Sequence, residues 1–577
     1  MLIAILKDYL KPYKRSVIFV LVLLLVQSIA NLYLPTLNAD LINNGVAKGD
    51  ISYIWRIGAI MLGSSVLVMG SSVLLVYLSS KVSMAFGRDL RRGVFTAVES
   101  FSARELNQFG APSLITRNTN DVQQVQMVLF MGLTMMLGAP ITGIGALILA
   151  IKTNVKLSGL LLVAVPIMTI LIWSLLRRIV PLFKVMQVKI DRINLVLREQ
   201  ISGVRVIRAF VRTAQEEKRF AEASSELMAT SLSVTRTFAI MFPSLMLILN
   251  LSSVAVIWFG GKLVDTGQMP IGNLTAFLTY IMQILSSVMM AVMMSLMIPR
   301  ASASADRIQE VLTIPSSVIE TVSPQTPQES LGRLEFRNVE FRYPGAEHPV
   351  LSGVSFEAEP GKVTAIVGST GSGKSTLLNL IPRFIDVTSG SVLLDGVDVR
   401  EQALESVWKQ MGWVPQRSFL FGGTVGENLR YGDPNATDEQ LWESLAVAQA
   451  TDFVQELPEQ LEAPVSQGGT NFSGGQRQRL SIARAIVRNP KIYILDDSFS
   501  ALDFATDARL RAALSERTQA ATVLIVAQRV STILSADQIV VLNQGRVVGK
   551  GTHNELMGTC VTYKEIVLSQ LSPEEAA

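Results

Sequence analysis

Cysteine is almost absent from this chain: Cys560 is the only one in 577 residues. A single thiol excludes an internal disulfide and any cysteine cluster for a metal. Histidine is nearly as scarce, with only His348 and His553. Charge is thin as well. Asp, Glu, Lys and Arg make up 17% of the residues against 49% hydrophobic ones, and mean hydropathy is +0.38. That balance is too apolar for a wholly soluble chain and calls for a membrane part. The net charge of +4 is too small to argue for nucleic acid, and loops facing anionic lipid account for it.

The missing charges are missing from particular places. Residues 16–39, 57–80, 122–151, 157–176, 237–261 and 266–299 contain no Asp, Glu, Lys or Arg. Each window reaches the roughly 20 residues that a helix needs to cross the hydrocarbon core. No window of that length recurs after Arg300, so the second half reads as soluble. The second and third windows are separated by about forty residues (81–121), and the fourth and fifth by about sixty (177–236). Lys7, Lys11, Lys14 and Arg15 precede the first window, Lys81, Arg88, Arg91 and Arg92 follow the second, and Arg177 and Arg178 follow the fourth. By the positive-inside rule the N-terminus, both long loops and the second half face the cytoplasm; Lys152 and Lys156 disagree and are outnumbered. Residues 1–15 read as an interfacial elbow helix, 16–312 as a transmembrane domain with six spans, 313–333 as a linker containing three prolines, and 334–577 as a separate domain.

The second half carries phosphate chemistry. A β-branched strand runs into Gly368, Ser369, Thr370, Gly371, Ser372, Gly373, Lys374, Ser375 and Thr376. Glycines let backbone N–H groups close around phosphate oxygens, a lysine reaches the terminal phosphates, and a hydroxyl holds Mg²⁺. Tyr343, upstream in FRYPG, offers an aromatic plate for adenine. Gln416 ends the apolar run GWVPQ. Ser473, Gly474, Gly475 and Gln476 open an amphipathic helix, a second anion-binding helix start in a chain that already has a phosphate loop. The apolar run ending ILDDSFSALD places Asp496, Asp497 and Asp503 after a strand.

This ordered set resembles an ATP-binding cassette (ABC) exporter half-transporter over essentially the whole chain. The resemblance implies a multidomain fold: an all-α six-helix transmembrane domain plus an α/β P-loop nucleotide-binding domain of ABC type. It implies ATP and Mg²⁺ as ligands, with Ser375, Gln416 and Asp496 around the metal. It implies head-to-tail pairing, in which the signature residues 473–476 serve the nucleotide of the other subunit, with Asp503 in the D-loop. It places short coupling helices near 113–121 and 204–213, and it implies a multi-pass protein of the bacterial cell membrane with a small amphipathic substrate.

Two positions depart from an active ATPase of that family. Asp497 stands where the base is Glu, and Gln528 stands where the switch residue is His; Gln467 also replaces a usual Glu. A base must lie within hydrogen-bond reach of the water it orients, and a retreat of about 1 Å can cost about 100-fold. Gln can bond a phosphate oxygen but cannot carry charge as His can. The expectation is therefore a degenerate subunit whose partner, a second ABC half-transporter, has intact Glu and His. An importer built on the exporter fold and a regulatory ATP-binding membrane protein are the competing readings. The sixth window is rich in methionine, at 282, 289, 290, 293, 294 and 297, which reads as helix packing or lipid contact before it reads as an adaptable cavity.

Overall fold

The computed structural model describes residues 1–295 and 297–572; the Met293 and Ser295 side chains lie outside the described part. The chain forms two units, Met1–Glu99 with Ala111–Ile314, and Ser100–Gly110 with Pro315–Ala577.

The first unit is helical. Six of its described helical stretches are long and apolar enough to cross a membrane. A short helix, Leu2–Leu10, buries Ile5 and turns at Lys11–Tyr13 into the helix Lys14–Asp40. The helices Ile51–Glu99, Leu161–Ala209 and Thr213–Asp265 have 49, 49 and 53 residues. At about 1.5 Å per residue each is more than twice the thickness of a hydrocarbon core of about 30 Å. They continue well past any bilayer, as the charged, helix-forming loops predict. Pro35, Pro166, Pro181 and Pro243 sit inside helices. A spanning helix tolerates them because neighbouring turns and helices satisfy the freed carbonyls. The core packs around Phe277, Tyr280, Met168 and Ile179, while Trp173, Trp258 and Leu162 face outward. Large apolar side chains on the outside suit lipid as solvent.

Polar ties hold the spans in register. The Tyr280 and Thr36 hydroxyls are 2.6 Å apart. Asp121, buried, accepts from Ser304 Oγ at 2.9 Å and from Arg307 Nε at 2.8 Å, fastening the π-helical turn Arg117–Asp121 to the helix Ile298–Thr313.

The second unit has a six-stranded sheet in the spatial order Arg546–Gly551, Gln538–Asn543, Val363–Gly368, Thr522–Val526, Ile492–Asp496, Met411–Val414. All neighbours are parallel except the first pair. Ile492–Asp496 and Thr522–Val526 are buried at every position, which is why they read as unbroken apolar runs rather than alternating ones. A four-stranded antiparallel sheet, running from Leu351–Ala358 through Leu334–Phe341 and Ser389–Leu394 to Val397–Asp398, closes one side. Asp438–Val447 and Gly474–Val487 are helices of the same unit.

The coupling segments differ from expectation. The loop segment that belongs to the second unit is Ser100–Gly110, not 113–121. Ser102 and Glu105 form a capping box that starts the helix Ala103–Phe109, and Gly110 at φ 73° ends it. The Ala103 N–H donates to the Phe384 carbonyl at 3.2 Å, and the Ser102 and Ser317 hydroxyls are 2.8 Å apart. Residues 111–121 instead form the helical turns Ala111–Thr116 and Arg117–Asp121 of the first unit. Nor is 204–213 a separate helix: Leu161–Ala209 runs almost through it, and Phe210 and Val211 lie exposed at the turn before Thr213–Asp265. Long helices need only a tight turn to reverse, so no independent element forms there.

Candidate nucleotide site

The strand Val363–Gly368 ends in a loop that leads into the helix Lys374–Leu380. Gly373, at φ 98°, is in a conformation that L side chains rarely adopt, and a Cβ there would lie 2.7 Å from Leu351 Cδ2. Only glycine closes this loop. The loop walls a cavity of about 590 Å³, together with Gln416, Gln528 and the C-terminal residues Ile566, Ser569 and Gln570. Lys374 Nζ reaches the Gly368 and Ser369 carbonyls, both at 2.8 Å. Burial holds its ammonium below the usual lysine range, against the pull of Asp496 and Asp497. Its charge thus rests on neutral dipoles inside the loop, where a phosphate would match it far better.

Asp496, buried at the end of its strand, has its carboxyl pushed up by that burial; a hydrogen bond with Ser375 opposes the rise. A buried carboxylate, a hydroxyl and the Gln416 amide are hard oxygen donors of the kind Mg²⁺ takes alongside phosphate. These residues fit the ion and would hold it. No cluster of three or more His, Cys, Asp or Glu exists among the described residues, so a metal here depends on phosphate oxygens as further ligands.

Asp497 follows in the left-handed region, at φ 49°, which Asp tolerates better than most side chains. Its N–H donates to the Val526 carbonyl at 2.9 Å. Its Oδ2 atom accepts from Gln528 Nε2 at 2.9 Å and from Gln416 Nε2 at 3.3 Å. Three motifs that are separate in sequence meet on one carboxylate oxygen. Neither histidine lines the cavity: His348 is exposed, and His553 pairs with the Tyr563 hydroxyl at 2.8 Å.

Other candidate residues lie elsewhere. Tyr343 is tied to the phosphate loop's helix by its hydroxyl, 3.2 Å from Thr376 Oγ1. It walls a neighbouring cavity of about 690 Å³ beside Ala103 and Arg104 instead of the nucleotide cavity. Its ring stands edge-on to Phe341, which holds it there. Ser473 caps Gly474–Val487: its Oγ accepts from the Gln476 N–H and its own N–H donates to Gln476 Oε1 at 2.8 Å. Residues 473–476 do not line the cavity of their own chain. Asp503 caps Phe504–Arg517 by accepting from the Thr506 N–H at 2.9 Å.

Sequence reasoning missed Gln570. Its Oε1 accepts from the Val530 N–H at 2.9 Å, and its Nε2 donates to the Gln528 carbonyl at 2.8 Å. It therefore clamps the backbone on both sides of Arg529. No motif marks a glutamine forty residues downstream, so no sequence signal points to it.

Residues 17–288 match the ABC transporter transmembrane region and 351–500 the ABC transporter domain. An uncharacterized ABC transporter ATP-binding protein of Mycobacterium tuberculosis is 48% identical over 574 residues, covering 99% of this chain and 98% of its own. The chain belongs to the ABC transporter family. It is a half-transporter with an ABC exporter fold, a membrane domain joined to an ABC ATPase domain that binds ATP, and a multi-pass membrane protein. An ATP-dependent lipid A-core flippase of Pseudomonas fluorescens is 35% identical to this ABC transporter over 482 residues, 83% of this chain and 80% of the flippase. A bacterial Atm1-family ABC exporter solved with ATP bound shares the fold, with a TM-score of 0.79 at 23% identity, covering 96% of this chain and 97% of that one.

Proposed function

We propose that this chain is the hydrolysis-impaired subunit of a heterodimeric ABC exporter of the bacterial cell membrane. It binds ATP at its own phosphate loop and supplies residues 473–476 to the competent site of a partner half-transporter. The N-terminus and the ABC domain face the cytoplasm, and the substrate is a small amphipathic or lipid-like molecule moved outward.

The observation that carries this reading is the state of Asp497. The carboxylate is one methylene shorter than Glu, and its Oδ2 atom is shared by two amide donors, Gln528 and Gln416. A general base needs a lone pair aimed at water. Here one carboxylate oxygen is engaged by two amide N–H groups, which cannot relay a proton. Lys374 turns from the Gly368 and Ser369 carbonyls to the phosphates when ATP enters, so binding gains a charge pair while proton removal gains nothing. Mg²⁺, when held by Ser375, Gln416 and Asp496, supplies neutralisation of phosphate charge. The placement of Ser473 outside its own chain's cavity is compatible with service to a second nucleotide.

The test is ATP hydrolysis by the purified chain alone, against the same chain carrying Asp497→Glu and Gln528→His. The unaltered chain is expected to be slower by about 100-fold, the cost of a misplaced base. Equal rates would overturn the impaired site and, with it, the need for a partner.

A further inference from the structure

The N-terminal helix Leu2–Leu10 meets the helix Ile51–Glu99 within the first unit. The Tyr9 ring stands edge-on to Phe86, with centroids 6.2 Å apart, and Gly93 leaves room for its hydroxyl. The Tyr13 hydroxyl donates to Asp89 Oδ2 at 2.6 Å and accepts from Arg88 Nη2 at 3.2 Å. These contacts tie the start of one charge-free window, 16–39, to the end of another, 57–80. The basic residues that flank the two spans therefore gather at one junction.

Lys14 and Arg15 follow Tyr13 directly. Lys81, Arg88 and Arg92 are spaced seven and four residues apart, which puts them on one face of their helix. All five are exposed. The acids beside them are already taken: Asp8 pairs with Lys11, and Asp89 with Arg88. Arg91 turns to Gln126. Lys14, Arg15, Lys81 and Arg92 make no ion pair among the described residues.

The same faces continue into the spans as exposed apolar side chains. Phe19 and Val22 lie four and seven residues beyond Arg15, and Tyr77 and Leu74 lie four and seven before Lys81. Those steps keep them in line with the cations. A cluster of cations capping an apolar stripe at a membrane border suits an amphiphile with an anionic head. A soluble anion gains nothing from the stripes. A zwitterionic head brings its own cation to a cluster whose carboxylates are already paired.

We infer that this junction holds an anionic phospholipid, its phosphate drawn to the cations of both helices and its acyl chains lying along the stripes. The inference rests on the membrane domain alone; it requires nothing of Asp497, of a transported substrate or of a partner subunit.

The experiment uses the purified whole transporter in detergent without ATP. It is titrated with photoactivatable dioleoylphosphatidylglycerol or dioleoylphosphatidylcholine, which share their acyl chains, and cross-links are mapped by mass spectrometry. The glycerol lipid is expected to label 14–22 and 74–92 saturably, and at least tenfold more tightly than the choline lipid. Lys14→Gln, Arg15→Gln and Arg92→Gln should each weaken it about fivefold, the effect of one cation near an anionic lipid. Arg92 lies well beyond both charge-free windows, so Arg92→Gln reads the site even where the other two variants disturb membrane insertion. Labelling around Arg177 and Arg178, a basic flank of a single span, should be weaker and unsaturated. Equal labelling by the two lipids, labelling around Arg177 as tight as at the junction, indifference to all three variants, or displacement of the lipid by excess free glycerol phosphate would overturn the inference.

Discussion

Gln528 Nε2 lies 2.9 Å from Asp497 Oδ2, a hydrogen bond between the two positions that the proposed function takes as departures from an active ABC ATPase. The two substitutions are thus one feature. A shortened acid has been paired with a neutral amide, and each satisfies the other. Changing one alone leaves the other facing a partner of altered length or charge. Asp497→Glu by itself should raise ATP turnover little, and Gln528→His by itself little as well. Together they should raise it by about 100-fold. Steady-state hydrolysis of the three variants measures this, and independent additive gains would contradict the coupling.

Ser473 serves a different nucleotide in the proposed arrangement. In the assembled heterodimer Ser473→Arg should abolish nearly all turnover, because it removes a donor to developing phosphoryl charge, a loss of about 10²–10³ in rate, and adds bulk at the helix start. Asp497→Asn should cost much less. The reverse ranking would assign hydrolysis to this chain's own site.

Lys374 is expected to set nucleotide affinity. Lys374→Ala should weaken ATP binding by at least about tenfold, since a charge-assisted bond to phosphate contributes about 1.5–3 kcal/mol. Cross-linking of a photoactivatable ATP analogue reads this directly. Retained labelling would show that the loop binds phosphate through backbone N–H groups alone.

Gln570 holds the loop that carries Gln528. Gln570→Ala removes the partners of the Val530 N–H and the Gln528 carbonyl and should lower the stability of the ABC domain by about 1–3 kcal/mol. Gln570→Glu keeps the acceptor for Val530 and loses only the donor, so it should recover part of the loss. ATP affinity should follow the same order, because the clamp also walls the cavity. Thermal unfolding with and without nucleotide distinguishes this from a general packing defect, which would change stability and leave the nucleotide-induced shift intact.

The six spans, the Gly-rich loop before Lys374 and the acid and amide at Asp497 and Gln528 were legible in the sequence. Each is a local property: a charge-free run long enough for a bilayer, glycines at fixed spacing before a lysine, the identity of one side chain. What those residues do together was decided by the tertiary structure. The parallel strands Ile492–Asp496 and Thr522–Val526 align Asp496 with Val526, which carries Gln528 to Asp497 across 31 residues, and Met411–Val414, paired on the other side of Ile492–Asp496, carries Gln416 there across 81. Gln570 reaches the same loop from the turn just after the helix Val561–Leu568, where no motif marks it. Ser100–Gly110, and not 113–121, belongs to the second unit, where the Ser102–Glu105 capping box starts the helix Ala103–Phe109. Composition also showed that the spans lack charge. Only packing showed that Tyr13 meets Arg88 and Asp89, since whether a polar atom finds a partner depends on which helices lie beside it and not on its own position in the chain.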